Sequence, residues 1–338
     1  MLYFKKIISM LMVFLIILGA TSCISSKNIT IASVDGEKIT KEEFVYFLTS
    51  VKATIENEQG SDLPEDFWET AEIDGQRVIE TAKEKALEEA IKSVLSRKKA
   101  IEQAIKISSS QRQDINNRIG QIVAKYGNEG VDDYLKQFGL NSKLYEKVLE
   151  DSFYRQNLME QLTADVSEND AIDYFNNKIA RVKHILFMTV DQQTNQPLEV
   201  AQLEQVKIKA EDILAKAKAG QDFDSLVAEY SEDPGSATQP DGYYLGKGYV
   251  LGQQGGAMVP SFETASLELK VDEISDLVET NYGFHIIKRY ANDQTVYQQN
   301  SEEVLIYARN NRFEEILEGW RNEAKIEKNE KEYGKING

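Results

Sequence analysis

Cysteine and histidine are nearly absent from this sequence. Its 338 residues include one cysteine and two histidines, and proline and tryptophan are also scarce, at 5 and 2 residues. A single cysteine has no partner for an internal disulfide, so the fold has no covalent cross-link in any compartment. The H-E-x-x-H motif of zinc enzymes is missing, and neither histidine has an obvious third ligand beside it. We therefore expect no metal and no cofactor.

Positive charge is also in short supply. Lysine and arginine number 39 against 56 acidic residues, which gives a formal net charge of −17. Proteins that bind nucleic acid concentrate positive charge, so this balance argues against a nucleic-acid partner. A phosphate-binding loop is poorly supported as well, because Gly246-Lys247-Gly248 lacks the Ser or Thr and the glycine spacing of a P-loop.

The N-terminus has the pattern of an export signal rather than that of a membrane-spanning helix. Lys5 and Lys6 precede a mostly apolar run from Ile7 to Leu18, which is short of the roughly 20 residues that cross a bilayer as a helix. Small residues then lead to Cys23. This order predicts a secretory signal peptide over residues 1–22.

Cys23 stands where bacterial lipoproteins carry the cysteine that is acylated and becomes the new N-terminus. The segment before it resembles a lipobox, although Ala20 occupies a position usually filled by Leu. We expect lipidation at Cys23, a tether over residues 23–28, and anchoring to the cell membrane on its extracytoplasmic face. An ordinary signal peptide beside a chance cysteine is the alternative.

Residues 29–180 have the pattern of a mainly helical region that begins with a β-hairpin. Asp35-Gly36 favours a tight turn between two short strands. Thr40 and Glu43 form a capping-box pattern at the start of a helix. The sequence predicts a loop-rich connection over 52–75, then helices at about 76–105, 110–126, 131–138, 142–163 and 168–178.

The pattern changes to alternating strands and helices over residues 181–291. A further helix is predicted near 301–324, with an apolar stripe that includes Phe313, Leu317 and Trp320. Because a lone amphipathic helix needs a partner, we expect residues 292–338 to pack back on the N-terminal helices. The predicted fold class is thus α+β, with a compact domain inserted into a mainly α-helical body.

Both histidines stand in similar apolar strand contexts. His184 lies in Val182–Leu186, and His285 lies in Gly283–Ile287. These two β-prone runs open and close the same α+β segment, so they could pair as neighbouring strands and bring the imidazoles together. Paired histidines can fix each other's tautomer and orientation.

Four motifs across residues 182–290 resemble the parvulin family of peptidyl-prolyl isomerases. They are the Val182–Leu186 strand, Tyr230-Ser231-Glu232-Asp233, the segment Ala257–Glu263 with Ala265, and Thr280–Ile287. The resemblance implies a four-stranded antiparallel sheet with surrounding helices. Taken singly, each residue is explained equally well by packing, and the order of all four motifs carries the resemblance.

The resemblance also implies roles for individual residues. His184 and His285 would form a central pair, with Asp233 beside them and Thr280 extending the hydrogen-bond network. Met258, Phe262 and Leu245 would line an apolar pocket for the proline ring. From the residues alone, Asp233 could orient the site, cap the loop before Pro234, or act as a base.

Two departures from the family pattern stand out. Where parvulins commonly carry Gly-Gly-Asp-Leu-Gly, this chain has Gly242-Tyr243-Tyr244-Leu245-Gly246. An apparent insertion, Tyr249 to Gly256, also precedes Met258. Either change could weaken catalysis.

Over its whole length the chain resembles the PrsA foldases, which join a lipoprotein signal, a helical region and an inserted isomerase. This likeness implies extracytoplasmic foldase activity on unfolded exported polypeptides that contain X-Pro bonds, and a membrane partner through the lipid. The alternative is a lipid-anchored holdase chaperone with a weak or inactive parvulin domain. The sequence does not determine the oligomeric state, and a dimer is among the states it allows.

Overall fold

The structure is a computed structural model that describes residues 29–59, 63–73, 75–191, 196, 198–236, 238–253 and 256–336. The signal peptide, Cys23 and the tether predicted from the sequence lie outside these residues. Within the described ranges, no helix is both long enough and apolar enough to cross a membrane. The chain divides into two compact units, one ending at Asp165 and resuming at Asn310, the other being Val166–Arg309.

The first unit opens with the predicted hairpin. Strands β1 (Thr30–Val34) and β2 (Glu37–Thr40) pair antiparallel around Asp35 and Gly36, whose φ angles of 49° and 86° suit the tight turn. A C-terminal strand, β10 (Ile326–Lys328), joins the other edge of β1, so the sheet order is β10-β1-β2. The first and last parts of this unit therefore share one sheet.

Helices make up most of the first unit. They are α1 (Lys41–Gln59), α2 (Phe67–Thr70), α3 (Val78–Glu102), α4 (Ser109–Lys136) and α5 (Ser142–Leu162), with the short hairpin β3 (Glu72–Ile73) and β4 (Gln76–Arg77) before α3. The Thr40–Glu43 capping box is present, since each backbone N–H bonds to the other side chain. Gly127 interrupts α4 at the predicted break.

The prediction of a loop from residue 52 onward was wrong at its start. Helix α1 continues to Gln59 because Ile55, one turn beyond Val51, is buried against the same core. Near the other end of the chain, Phe313 and Leu317 are buried with Ala100 and Leu158.

The second unit is built on a five-stranded antiparallel sheet in the order β7-β6-β5-β9-β8. The strands are β5 (Ala180–Met188), β6 (Tyr243–Gly246), β7 (Tyr249–Val250), β8 (Val278–Thr280) and β9 (Gly283–Tyr290). The α+β class is confirmed, with one strand more than the four expected. The extra strand, β7, lies at the start of the segment that the sequence marked as an insertion, and pairs with β6.

Helices cover both faces of this sheet. They are α6 (Glu168–Lys178), α7 (Val200–Lys218), α8 (Phe223–Tyr230) and α9 (Pro260–Glu268). Ile185 and Phe187 face a core that includes Ile213 and Leu226 of α7 and α8, whereas Val182 and Ile287 face Phe262 of α9. Two further helices are α10 (Gln294–Glu323), which is non-helical at Asn300, and α11 (Glu330–Tyr333).

The boundaries of the second unit differ from those drawn at 180/181 and 291/292 on the sequence. Residues 166–180 and 292–309 belong to the same unit as the sheet. Their apolar side chains form a cluster with strand residues: Phe175 and Tyr297 pack with Tyr244 and Tyr249. The aromatic side chains of β6 and β7 thus extend the unit beyond the motifs.

Candidate active site

The two histidines meet because β5 and β9 are neighbouring strands. In their antiparallel register, His184 lies opposite Ile287 and His285 lies opposite Leu186. Residues directly opposite each other share a face, as do residues two apart along a strand, so both imidazoles project from the same side of the sheet. The predicted pairing of these strands is confirmed.

The imidazole rings form a compact triangle with the ring of Phe262. The centroids of His184 and His285 are 5.2 Å apart, with their planes inclined at 54°. Phe262 of α9 meets both edge to face, at 4.9 Å from His184 and 5.2 Å from His285. Both histidines are nearly enclosed, being 7% and 4% exposed.

A loop after α8 brings a carboxylate to His184. The backbone N–H of Glu232 donates to the Leu186 carbonyl (2.9 Å), and the Ser231 hydroxyl donates to the His184 carbonyl (3.3 Å), so the loop lies along β5. Asp233 Oδ2 is then 3.5 Å from His184 Nε2. Its Oδ1 accepts a hydrogen bond from the Gly235 N–H (2.9 Å), which fixes the carboxylate orientation. Ser231 thus holds the loop against β5, a contact that the sequence analysis did not predict.

Thr280 occupies the matching place beside the second histidine. Its hydroxyl lies 2.9 Å from His285 Nε2, within hydrogen-bonding distance. The Tyr282 N–H donates to the same hydroxyl oxygen (3.1 Å), so the turn between β8 and β9 holds the hydroxyl in place. The structure therefore brings together all four polar residues selected from the sequence.

Burial controls the charge of both histidines. Desolvation lowers the pKa of His184 to about 4, although the Asp233 carboxylate opposes this effect. Desolvation also lowers the pKa of His285 to about 3, with a smaller contribution from His184. Both rings are therefore neutral at pH 7. Neither Nδ1 atom has a hydrogen-bond partner among the described residues, so each retains capacity to accept or donate one.

The apolar residues beside the histidines differ in accessibility. Phe262 is 2% exposed and Leu245 is fully enclosed, whereas Met258 is partly exposed and packs against the same cluster. Leu245 pairs with Ala180 and Val250 within the sheet. Met258 is therefore more accessible from outside than Phe262. Leu245 lies in the interior of the same apolar cluster.

Tyr243 is a further member of the site. Its hydroxyl donates to Asp233 Oδ2 (2.8 Å), and its ring lies 5.7 Å from that of His184 at 27°. The sequence showed it only as a bulky departure from the family pattern. A cavity of about 300 Å³ adjoins it, and the residues that line this cavity include His184, Asp233, Tyr243, Lys183 and Asp224.

The described residues contain no group of three or more His, Cys, Asp or Glu side chains placed to hold a metal ion. The arrangement instead presents neutral imidazoles, a hydroxyl and a carboxylate at the rim of an apolar cluster.

Two family models match separate parts of the chain. Residues 167–293 match a PPIC-type peptidyl-prolyl isomerase domain, and residues 1–159 match a SurA-like N-terminal domain. The first match contains both histidines, Asp233 and Thr280. The chain thus contains a parvulin-type peptidyl-prolyl cis-trans isomerase domain and a SurA-like N-terminal region.

Curated relatives carry the name Foldase protein PrsA. One from Caldanaerobacter subterraneus subsp. tengcongensis is 28% identical over 295 residues, covering 84% of this chain and 82% of the relative. Another, from Geobacillus kaustophilus, is 32% identical over 177 residues, covering 52% and 53%. The chain is therefore similar over most of its length to proteins named Foldase protein PrsA.

Solved structures also match parts of the chain. The peptidylprolyl isomerase PrsA from Bacillus anthracis is 23% identical with a TM-score of 0.35, covering 70% of this chain and 96% of that one. NmPin, the parvulin of Nitrosopumilus maritimus, is 31% identical with a TM-score of 0.23, covering 34% and 97%.

Proposed function

We propose that isomerisation takes place at the ring triangle, with His184, Asp233, His285 and Thr280 as the polar catalytic groups. The supporting observation is that two buried, neutral imidazoles meet an apolar ring on one side and hydrogen-bonding groups on the other. Neither a nucleophile nor a cofactor is needed, because the reaction rotates a bond without breaking one.

The polarity of this environment suits the reaction. The barrier to rotation about the peptide bond is roughly 18–20 kcal/mol, because resonance gives the bond partial double-bond character. The twisted amide loses the charge-separated resonance form, so apolar surroundings favour it over the planar ground state. Neutral histidines keep the surroundings free of charge. Hydrogen bonds from the polar rim can change in strength as the electron density of the carbonyl changes.

We assign binding of the proline ring to Met258 and Phe262, with Leu245 as support. Met258 offers the accessible apolar surface, and Phe262 forms the wall between it and the histidines. Because Phe262 is 2% exposed, a proline ring reaches it only after Met258 or its neighbours move. This enclosure is also the observation that favours the second candidate, a holdase whose parvulin domain binds clients without isomerising them.

A peptide isomerisation assay separates the two functions. We expect the full chain to accelerate cis-trans exchange of an X-Pro peptide, and His184→Ala and Asp233→Ala to lower kcat/KM by roughly 100- to 1,000-fold, the range for loss of one catalytic group. Met258→Ala should also lower kcat/KM, because it removes apolar surface that contacts the proline ring. Ile208→Ala, at an exposed position on α7, is the control. Equal background rates from wild type and all variants would support the holdase and exclude catalysis at this site.

We further assign the protein to the extracytoplasmic face of the membrane, anchored through lipid on Cys23, with exported polypeptides as clients. Support comes from the signal pattern before Cys23 and from the foldase relatives. The acidic composition favours a body that stands off an anionic membrane rather than lying on it.

A further inference from the structure

Tyr243 connects the polar rim of the site to strand β6. It lies opposite Val182 in the pairing of β6 with β5. From there its hydroxyl reaches Asp233 Oδ2 at 2.8 Å, and its ring stacks beside His184. The same carboxylate oxygen is 3.5 Å from His184 Nε2, so the phenol and the imidazole both contact Asp233 Oδ2.

Two glycines make room for this arrangement. A β-carbon at Gly235 would lie 2.0 Å from the Tyr243 hydroxyl oxygen, far inside contact distance. Gly242, immediately before Tyr243, has a φ of +88°, and a β-carbon there would lie 2.5 Å from the Val182 carbonyl oxygen. The phenol can therefore approach Asp233 only because residue 235 has no side chain. The backbone before Tyr243 likewise requires glycine at position 242.

We infer that Tyr243 is a positioning residue of the isomerase: its phenol holds the Asp233 carboxylate against His184 and limits how strongly the carboxylate attracts that imidazole. The inference rests on the proposed roles of Asp233 and His184. It assigns a function to a residue that otherwise only departs from the family pattern.

The electrostatic consequence has a definite sign. Burial and the neighbouring carboxylate raise the pKa of the Tyr243 phenol, so it remains a protonated donor at neutral pH. The hydrogen bond partly offsets the negative charge of the carboxylate. Such a carboxylate stabilises an imidazolium less than a carboxylate without this hydrogen bond does. Without the phenol, Oδ2 loses the hydrogen bond at 2.8 Å and keeps its contact with His184 Nε2 at 3.5 Å, so the protonated form of His184 gains stability.

Several groups surround His184 and contribute to its charge state. Asp233 faces it from the loop, Tyr243 from β6 and His285 from β9, whereas α9 contributes the uncharged ring of Phe262. Lys183 and Asp224, which line the adjoining cavity, form an ion pair with each other at 3.1 Å. Asp233 is thus the acidic group whose contact with His184 the phenol controls.

The test compares three variants of the full chain. Tyr243→Phe removes only the hydroxyl and keeps the ring. Gly235→Ala keeps the backbone N–H that binds Asp233 but forces the phenol away. Tyr244→Phe is the matched control, because that neighbouring phenol bonds to the Asp293 N–H and stacks on Phe175 instead.

Two readouts are measured on each variant: kcat/KM for an X-Pro peptide, and the pKa of His184 by NMR titration. The chain has only two histidines, so His285→Asn assigns the resonances. We expect Tyr243→Phe and Gly235→Ala to lower kcat/KM by about tenfold, the worth of one hydrogen bond. Both should raise the pKa of His184, while Tyr244→Phe changes neither.

The outcomes separate this inference from the proposed site. An active wild type with an unchanged His184 pKa in Tyr243→Phe and Gly235→Ala would overturn the positioning role, whatever happens to the rate. An inactive wild type would overturn the proposed catalysis. In that case the titration still decides whether Tyr243 controls the contact between Asp233 and His184.

Discussion

Each histidine has one ring nitrogen near a polar partner. Nε2 of His184 faces Asp233 and Nε2 of His285 faces Thr280, whereas both Nδ1 atoms are buried and bond to no group in the part of the chain that the structure describes. Such unpaired polar atoms cost free energy in a folded protein, and they are found where a ligand or water completes the bonding. We therefore regard the Nδ1 atoms as the groups that are available to respond to a bound amide.

The depressed histidine pKa values predict acid sensitivity of the second unit. In the unfolded chain a histidine titrates near about 6.5. Because the folded pKa values are about 4 and about 3, the unfolded state binds more protons below that pH. Stability should thus be fully present above pH 6.5 and fall as the pH drops toward 4, by up to about 1.4 kcal/mol per pH unit for each histidine.

Amide hydrogen exchange in β5 and β9 measures the stability of the second unit by itself. Tryptophan fluorescence would report on the first unit instead, because both tryptophans lie there. Protection should decline between pH 6.5 and 4.5 after correction for the intrinsic exchange rate. His285→Asn, which does not titrate, should give a shallower decline. An equal decline in wild type and variant would show that His285 is not the group responsible.

At the scale of elements, helix α6 supports the site without contributing a residue to it. Phe175 is fully buried and stacks on Tyr244 of β6 at 6.0 Å, next to the strand position that carries Tyr243. Its ring also meets Tyr297 at 5.6 Å. The geometry of β6 therefore depends on aromatic packing that starts before the first isomerase motif.

Phe175→Ala should destabilise the second unit by about 3–5 kcal/mol, the usual cost of removing a buried phenylalanine. We expect faster exchange of the β6 amides and lower isomerase activity, although Phe175 packs in an apolar cluster that includes neither histidine. Asn177→Ala on the same helix is the control, since Asn177 is exposed and its side chain donates to the Asp173 carbonyl within the helix. Unchanged protection of β6 in Phe175→Ala would show that α6 is dispensable.

At the scale of the whole molecule, the sequence joins a SurA-like region to an isomerase that is continuous in the chain. The first unit contains residues from both ends of the chain, which contact each other. Strand β10 pairs with β1, and Phe313 packs with Ala100. Two functions, holding a client and isomerising it, can thus be carried by separate cores.

The proposed anchor predicts a clear difference in location. Cys23→Ser should abolish incorporation of labelled palmitate and release the chain from membranes into the soluble fraction, because no other cysteine can take the lipid. Isomerase activity of the released protein should equal that of wild type. Labelling of the Cys23→Ser variant, or membrane retention that salt does not reverse, would contradict lipid attachment at this residue.

Local patterns predicted much of the fold correctly. The Asp35-Gly36 turn, the Thr40–Glu43 cap and the helix at 168–178 depend on residues within a few positions of one another. The pairing of β5 with β9 was also predictable, since two similar apolar runs each carry a histidine. The start of the predicted 52–75 loop failed because a single buried contact at Ile55 extends α1.

The sequence by itself determined the α+β class and the strands that carry the two histidines, because apolar periodicity is a local property. The acidic and hydroxyl residues near the histidines were implied by the resemblance to parvulins. Only the tertiary structure decided that Tyr243 binds Asp233, that Leu245 is enclosed, and that α6 belongs with the sheet. Those facts depend on distances between residues that are not neighbours in the chain. Such distances follow from how side chains fill the core, which no short stretch of sequence specifies.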